Sequence, residues 1–310
     1  MHMSEETKRM KQHIVPKAHL ERFECDGKLT VHRFDEGKNV KTYTSSATKE
    51  CRVENFYDND PYAKTSVERS LKRMEDECQK EIDKLHETNI FNTDGKILVK
   101  YVSMLMNRSP PLRGISERMA RTGTSFGADG KMTHSIPILA SSERIMFNKL
   151  EDMACVNSQS LTQSFITADM PVAVLPLHEP LNMPPHVKNI VDHMHDPRLY
   201  NDKELMNNLD KFFEISYKYT VFICPLSKSQ CLFVHRKDYK NFVFEFFGRF
   251  GPDITPFVNK LMIESSFGKI YSGTDISADV SATLQSMRPF SEEKKEFMRE
   301  MDRIQRESRN

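Results

Sequence analysis

Two things are missing from this sequence: a long apolar run and an excess of charge of either sign. No stretch approaches the roughly 20 consecutive apolar residues that a membrane-spanning helix needs. The opening stretch, MHMSEETKRMKQ, is charged where a signal peptide would be apolar. Lys plus Arg number 45 and Asp plus Glu 44, so no global field attracts nucleic acid or an anionic membrane. We therefore expect a cytoplasmic protein without membrane contact, and a nucleic-acid partner would need a local basic face.

Paired cysteines and the common nucleotide and hydrolase motifs are also missing. The six cysteines are scattered without a C-x-x-C pair, which gives no support to a zinc or thioredoxin-like site. Cys224 and Cys231 flank the turn PLSKSQ, so they could face each other across a hairpin. No G-x-x-x-x-G-K-[ST], G-x-G-x-x-G, G-x-S-x-G or H-E-x-x-H occurs. An NTPase, a dinucleotide enzyme, a serine hydrolase and a zincin therefore have no positive support.

The order of the apolar patterns predicts an α+β fold in one domain that covers the whole chain. KLTVHRF and the following run near VKTYT predict an N-terminal hairpin. A helical half is expected at about 60–156, and a mainly antiparallel, sheet-rich half at about 160–272. A C-terminal helical tail at about 277–310 completes the chain. We expect the hairpin and the helical half to pack on the sheet.

Several helices can be placed from their spacing. TSVERSLKRMEDECQKEIDKLHET is the clearest amphipathic helix, and DGKILVKYVSMLMNR predicts a buried helix that ends near Arg108. PLRGISERMARTG (111–123) and SSERIMFNKLEDMACV (141–156) are interpreted as two further helices. The tail SEEKKEFMREMDRIQRESRN predicts a mixed-charge helix, which either docks on the body or binds a partner protein.

The sheet-rich half shows β-branched and aromatic runs. LTQSFITADMPVAVLPL and YTVFICPLSKSQCLFVHR predict strands, and GPDITPFVNKLMIESSFGKIYSG predicts a helix that leads into a short strand. A long loop between the first two runs contains ligand-type residues, namely His186, His193, His195 and Asp196. Without a supporting third motif we do not interpret this loop as a zinc site.

Four stretches together resemble the bacterial domain-of-unknown-function family numbered 4238. They are HIVPKAHLERF, SVERSLKRMEDE, FITADMPV, and VFICPLSK with VNKLMIESSFGKIYS. The resemblance supplies expected polar positions but no established activity, and it points to a role in phage defence or as a toxin. Two positions depart from the pattern. His19 stands where a tyrosine or phenylalanine is usual, and Ala168 stands where a serine often precedes the aspartate.

His13 lies just before Pro16 in the first of these stretches. The intervening β-branched residues and the proline disfavour helix before Pro16, and the proline can open a helix after it. Lys17 to Phe23 should then form a short helix, with His13 on the extended segment before it. An imidazole held there could act as acid, base or metal ligand, or it could simply bond a buried carbonyl.

Charged residues at the end of the predicted helical pair form a second group of candidates. Glu68 and Glu75 are seven residues apart, so they project from one side of their helix and could hold a divalent ion. The alternative is an ordinary surface pair between Glu68 and Lys72. Arg108 ends the buried helix. Its planar donor fork suits a phosphate or a carboxylate such as Glu75 or Asp169, although any cation suits a helix C-terminus.

Asp169 and Asn259 are the candidates in the sheet-rich half. Asp169 follows the strand FIT and precedes Pro171, a place where a strand can present a catalytic carboxylate. An aspartate in a turn equally often bonds its own backbone. Asn259 is a polar residue inside an apolar helical run, and we interpret it as a core contact.

These observations lead to the hypothesis of a metal-assisted, nuclease-like hydrolase. Five side chains would converge on one cleft: His13, Glu68, Glu75, Arg108 and Asp169. Glu68, Glu75 and Asp169 would hold Mg²⁺ or Mn²⁺, while His13 moves protons and Arg108 faces phosphate. Nucleic acid would bind a local basic face formed by Lys8, Arg9, Lys11, Lys17 and Arg22. The alternative is a non-enzymatic sensor or partner-binding protein in which the same residues form a buried polar network.

Overall fold

The structure is a computed structural model, and it describes residues 11–50, 52–54, 67–87, 95–108, 144–145, 148–161, 163–176, 220–241, 245, 248–249 and 253–307. These residues mix helices with two mainly antiparallel sheets, which confirms the predicted α+β class. The predicted helix at 111–123 and the loop that contains His186, His193, His195 and Asp196 lie outside the described residues.

The secondary structure elements are numbered in chain order. The strands are β1 (Lys11–His13), β2 (Leu29–Phe34), β3 (Val40–Ser45), β4 (Arg52–Glu54), β5 (Arg144–Ile145), β6 (Asn148–Lys149), β7 (Met153–Gln159), β8 (Thr167–Ala168), β9 (Ala173–Pro176), β10 (Thr220–Pro225), β11 (Gln230–Arg236) and β12 (Lys269–Ser272). The helices are α1 (Lys17–Glu21), α2 (Val67–Glu87), α3 (Gly95–Asn107), α4 (Thr255–Ser265), α5 (Ser277–Ser286) and α6 (Glu292–Glu307).

The first sheet has the order β7-β11-β10-β9 and is antiparallel throughout. It is covered on both faces, which is unusual for an antiparallel sheet. Phe222, Cys224 and Leu232 pack with α2 and α3 on one face, whereas Ile223 and Phe233 pack with α4 and α5 on the other. This explains why β10 and β11 read as continuous apolar runs rather than as alternating ones.

The register of the β10–β11 hairpin decides whether Cys224 and Cys231 face each other. Cys224 lies opposite Leu232, and Cys231 lies opposite Pro225. Because successive side chains of a strand point to opposite faces, this offset of one residue places the two thiols on different faces of the sheet. The prediction that they could face each other is therefore wrong. Both are free and buried, and burial raises the pKa of both thiols.

The helices α2 and α3 confirm the amphipathic and buried patterns. The stripe of α2 enters one core cluster through Leu71, Cys78, Ile82 and Leu85. Most of α3 is buried in the same cluster, against α2 and β7. The burial of these apolar side chains, at about 25 cal/mol per Å² of apolar surface, is what holds the helical pair on the sheet.

The second sheet has the order β3-β2-β12-β8 and contains the predicted N-terminal hairpin, β2 and β3. The short helix α1 and the turn after it pack Leu20 and Phe23 against one face, in a cluster with Val31 and Tyr271. Ahead of α1, His13 lies on β1, where it pairs with Arg52 of β4. The extended segment, the helix after Pro16 and the helix-to-strand unit α4–β12 are all confirmed.

The predicted helix at 141–156 is wrong. This stretch forms β5, β6, a 3₁₀ turn at Leu150–Asp152 and the start of β7. All seven residues of β7 pair with β11, from Gln159 opposite Gln230 to Met153 opposite Arg236. Leu150 and Met153 still reach the core, so their spacing was compatible with either structure. Pairing along the whole strand outweighed the local helical preference.

The C-terminal helix α6 docks on the body of the protein, as one of the two interpretations of the tail expected. Arg33 of β2 pairs with Asp302 at 2.7 Å, and Arg299 pairs with Glu36 at 2.9 Å. Phe297 meets the ring of Phe267 edge-on, with 5.3 Å between ring centroids. Within the described part of the chain, no helix combines the length and the apolarity needed to span a membrane.

Candidate functional site

Two of the predicted site residues meet between α2 and α3. Arg108 directly follows α3 and pairs through Nη1 with the carboxylate of Glu75 on α2. The Arg108 side chain is only 1% exposed, whereas that of Glu75 is 22% exposed. Of the two carboxylates that the sequence offered to Arg108, the fold selects Glu75. The arginine therefore holds this carboxylate from the protein side and leaves part of it open to solvent.

A row of polar side chains continues from this pair along α2. Gln79 lies one turn after Glu75, and Asp83 lies one turn further. Arg22, which follows α1, donates to Oε1 of Gln79 at 2.7 Å and to Oδ1 of Asp83 at 2.6 Å. Gln79 in turn donates to the hydroxyl of Tyr101 on α3 at 3.4 Å. Together these contacts tie α1 to both helices of the pair.

His19 closes this network inside the protein. Its Nδ1 lies 3.1 Å from the Tyr101 hydroxyl, and its Nε2 lies 3.1 Å from Oγ1 of Thr167 on β8. Desolvation by burial, reinforced by the charge of Arg22, lowers the pKa of His19 to about 3. Burial also raises the pKa of Tyr101. Both groups are therefore neutral at physiological pH, and the network acts as a structural joint between α1, α3 and β8.

Asp169 lies in a different environment. Its Oδ1 accepts the backbone N–H of Phe267 at 2.9 Å, and its Oδ2 accepts that of Lys269 at 3.0 Å. Desolvation raises the pKa of this carboxyl, although the two hydrogen bonds and the nearby lysines oppose the shift. Asp169 also lines a small cavity of about 90 Å³ beneath α6. The carboxylate thus fastens the end of β8 to the turn before β12.

The structure does not gather the proposed metal ligands among the residues it describes. No group of three or more His, Cys, Asp or Glu side chains suited to a metal ion occurs in the described part of the chain. The hydrogen-bond partners of Asp169 lie on the turn before β12 and on the first residue of β12, not on α2 or α3. Glu68 lies in the first turn of α2 and His13 lies on β1, but their side chains are outside the described residues.

The proposed basic face can be followed in part. Lys17 pairs with Glu21 at 3.0 Å, and Arg22 pairs with Asp83 at 2.6 Å. Acidic side chains therefore neutralise both of these cations. The remaining members, Lys8, Arg9 and the side chain of Lys11, lie outside the described residues.

An open cleft of about 370 Å³ lies between α4 and α5. Apolar side chains, polar groups and one residue of each charge line it, including Ile166, Ile263, Asn259, Lys260, Ser272 and Asp279. Asn259 accepts the backbone N–H of Ile166 at 3.1 Å and donates to the carbonyl of Ser164 at 3.0 Å. It is therefore a packing contact, as interpreted from the sequence, that also shapes the cleft wall.

Sequence reasoning missed a polar pair beside this cleft. His32 of β2 is fully buried, and its Nε2 lies 3.0 Å from Oγ of Ser272 at the end of β12. Both residues fall within correctly predicted strands. The sequence offered two weak signals of this pair: a histidine in an alternating strand and a serine before a glycine. Neither indicates a functional site unless the other is known to lie beside it.

Comparison with protein families assigns the chain to a family. A model of the family described as "Protein of unknown function (DUF4238)" matches residues 11–275. The chain belongs to this family, as its four motif stretches indicated. The match ends before α5 and α6. Neither the curated proteins nor the solved structures give a match to this chain.

Proposed function

We propose that this DUF4238 protein is a metal-assisted hydrolase that cleaves phosphodiester bonds at the end of the α2–α3 pair. The observation that carries the proposal is the contact between Glu75 and Arg108, with the arginine buried and the carboxylate 22% exposed. A buried guanidinium fixes the orientation of the carboxylate while one side of it stays accessible. Positioned, partly open carboxylates of this kind are suited to divalent cations.

Helix geometry adds Glu68 to this site. Seven residues span two helical turns, or about 10 Å, so Glu68 projects from the same side of α2 as Glu75. Mg²⁺ and Mn²⁺ prefer oxygen ligands, and such an ion would stabilise the charge that develops on a phosphate. His13, on the neighbouring N-terminal strand, is the proposed proton carrier. Asp169 is left out of the set, because its oxygens already accept two backbone N–H groups.

The test is cleavage of labelled DNA and RNA by the purified full chain in the presence of Mg²⁺ or Mn²⁺. We expect cleavage that EDTA abolishes and that Glu75→Gln reduces at least tenfold. Glu77→Gln is the matched control, because Glu77 lies on the same helix in an exposed pair with Lys100 at 3.1 Å. Absence of metal-dependent cleavage in the wild-type protein would contradict the proposal, as would equal losses in the two variants.

The sensor or partner-binding alternative is favoured by a different observation. His19, Tyr101 and Thr167 are fully buried and bonded to one another, which is typical of a joint that orients parts of a scaffold. In this alternative a partner protein would bind the histidine-bearing loop or the C-terminal helix α6. His13→Ala discriminates between the functions: lost cleavage with an unchanged melting temperature favours the hydrolase, whereas lost stability in an inactive protein favours the scaffold.

A further inference from the structure

The pair formed by His32 and Ser272 has the atomic arrangement of a nucleophile and its base. The serine Oγ lies 3.0 Å from Nε2 of the histidine. The other ring nitrogen, Nδ1, lies 3.1 Å from Oγ1 of Thr42 and 4.0 Å from Oδ1 of Asp275. In serine hydrolases a histidine likewise meets the nucleophile through one nitrogen and an orienting group through the other.

The second sheet produces this arrangement through its register. Ile270 lies opposite His32 and Ser272 lies opposite Thr30, so the histidine and the serine are diagonal neighbours on one face of the β2–β12 pair. Ser272 is the last residue of β12, and a short turn leads from it into α5. The Ser272 side chain is only 2% exposed, and it forms part of the inner wall of the cleft between α4 and α5.

We propose that Ser272 and His32 form a second, metal-independent site, which hydrolyses small carboxylic esters in the α4–α5 cleft. This site shares no residue with the Glu75–Arg108 pair, so it goes beyond the phosphodiesterase function proposed above. Ser272 is the nucleophile and His32 the general base. Asp275 and Thr42 are positioning residues that act through the imidazole.

The chemical step can be written with these groups alone. Oγ of Ser272 bonds to the ester carbonyl carbon as its proton passes to Nε2 of His32. The carbon–oxygen bond to the alcohol then breaks, and the alcohol leaves with that proton. Water next attacks the acyl-serine, giving its proton to His32 and releasing the carboxylic acid. The proton returns to Ser272, so the protein ends the cycle unchanged.

The lining of the cleft indicates the substrate class. Ile166 and Ile263 are nearly fully buried and offer an apolar floor for an acyl group. Lys260 and Asp279 contribute one charge of each sign, so the cleft carries no net charge. A volume of about 370 Å³ falls at the lower end of the usual range for small-molecule sites. These properties suit an uncharged ester with a short apolar chain.

In the structure the Ser272 hydroxyl is bonded in a way that must change before the serine can react. Ser272 donates its hydroxyl proton to the carbonyl of Thr274 at 2.6 Å. The hydroxyl has a single proton, so it must turn from this carbonyl toward His32 for the nucleophile to be activated. Asp275 accepts the backbone N–H of Ser277, the first residue of α5, at 2.8 Å, and this bond holds its carboxylate near the imidazole.

The test is reaction of the native full chain with a fluorophosphonate probe in EDTA, followed by peptide mass spectrometry. We expect one adduct, on Ser272, and hydrolysis of p-nitrophenyl butyrate that the probe abolishes. His32→Gln should slow adduct formation about 100-fold, since a general base contributes about that factor. Ser286→Ala is the matched control and should react like the wild type, because Ser286 is an exposed serine on α5.

Two outcomes would overturn the proposal. One is an unlabelled Ser272 in folded wild-type protein, which requires no variant and so does not depend on how a variant folds. The other is adduct formation at the wild-type rate in the His32→Gln variant, provided that this variant has the melting temperature of the wild type. Loss of metal-dependent nucleic-acid cleavage would leave this site untouched, because neither the probe nor the buffer contains a divalent cation.

Discussion

His19 and His32 are two buried histidines with similar hydrogen bonds and different surroundings. Each ring lies between two hydroxyl groups at 3.0 or 3.1 Å, and burial lowers the pKa of both. His19 has only protein on every side, with the cation of Arg22 nearby. His32 has the carboxylate of Asp275 nearby, which opposes the lowering, and its partner Ser272 lines a cleft.

This comparison contrasts a structural polar group with the pair for which we propose chemistry. A hydrogen bond of ordinary length on each ring nitrogen does not distinguish them, because buried polar groups are nearly always bonded. Both rings are fully buried, so the histidines differ in the sign of the nearest charge and in the cleft that borders the partner of His32. We call the group of His19, Tyr101 and Thr167 the sealed side, and the pair of His32 and Ser272, which borders the α4–α5 cleft, the open side. The following predictions compare the two.

The largest effect on stability is expected from Glu75→Ala, which removes the carboxylate that pairs with the buried Arg108. Arg108 remains buried and loses its carboxylate, and breaking a buried ion pair costs about 3–5 kcal/mol; partial exposure of Glu75 favours the lower value. Urea denaturation measures the change in the free energy of unfolding. Glu77→Ala, which breaks an exposed pair with Lys100, should cost less than about 1 kcal/mol. Similar losses in both variants would mean that the Arg108 pair is not a structural contact.

His19→Ala should be the next most costly change. It leaves a cavity and removes one hydrogen-bond partner from each of two buried hydroxyls, and the expected loss is about 3 kcal/mol. His19→Phe keeps most of the ring volume and restores the type of aromatic residue usual in the family pattern, so it should lose less. Thermal melting of both variants is the measurement. A phenylalanine variant as unstable as the alanine variant would show that the hydrogen bonds, not the packing, hold this joint.

The pH dependence of stability should show that His19 stays neutral in the folded protein, as its burial implies. Its folded pKa of about 3 lies below the ordinary value of 6.5. Between these values the unfolded chain binds a proton that the folded chain does not, so stability falls as the pH falls through this window. The slope is at most about 1.4 kcal/mol per pH unit. Arg22 and Tyr101 are the charged and titratable groups nearest to the ring.

The measurement is urea denaturation of the wild type and His19→Phe between pH 7 and pH 4. The wild type should lose stability more steeply than the variant, in which position 19 cannot bind a proton. Parallel curves would contradict the assignment of a strongly lowered pKa to His19.

The smallest effects are expected from removing one hydroxyl on each side. Thr167→Val and Ser272→Ala each remove the group that meets Nε2 of a buried histidine, and each should cost about 1 kcal/mol. Only Ser272→Ala should also abolish the fluorophosphonate adduct. Equal stability losses in the two variants, with loss of the adduct only in Ser272→Ala, would support the distinction between the two sides. An adduct that still forms in Ser272→Ala would contradict it.

Much of the fold could be predicted from local patterns. The stripe on α2, the apolar runs of β10 and β11, and the helix-to-strand unit α4–β12 all lie where the sequence indicated. The stretch at 141–156 was misassigned because Leu150 and Met153 satisfy both spacings, and only the pairing of β7 with β11 decides between them. The offset that separates Cys224 from Cys231 is likewise a matter of register.

The candidate site was predictable only in part. Arg108 with a carboxylate partner followed from its place at the end of a buried helix, and Glu75 was one of two candidates for that partner. The sequence could not show that Asp169 bonds the turn before β12. It also gave no reason to connect His32 with Ser272, because the two residues are separated by 240 positions.

Outside the stretch at 141–156, the sequence by itself determined the type of the described helices and strands discussed above and which of their faces are apolar, because these depend on the spacing of neighbouring residues. Tertiary structure alone decided which polar groups meet, which are sealed and which border a cleft. Hydrogen bonds between His19 and Thr167 or between His32 and Ser272 join residues far apart in the chain. They depend on strand register and helix packing, which no local pattern specifies.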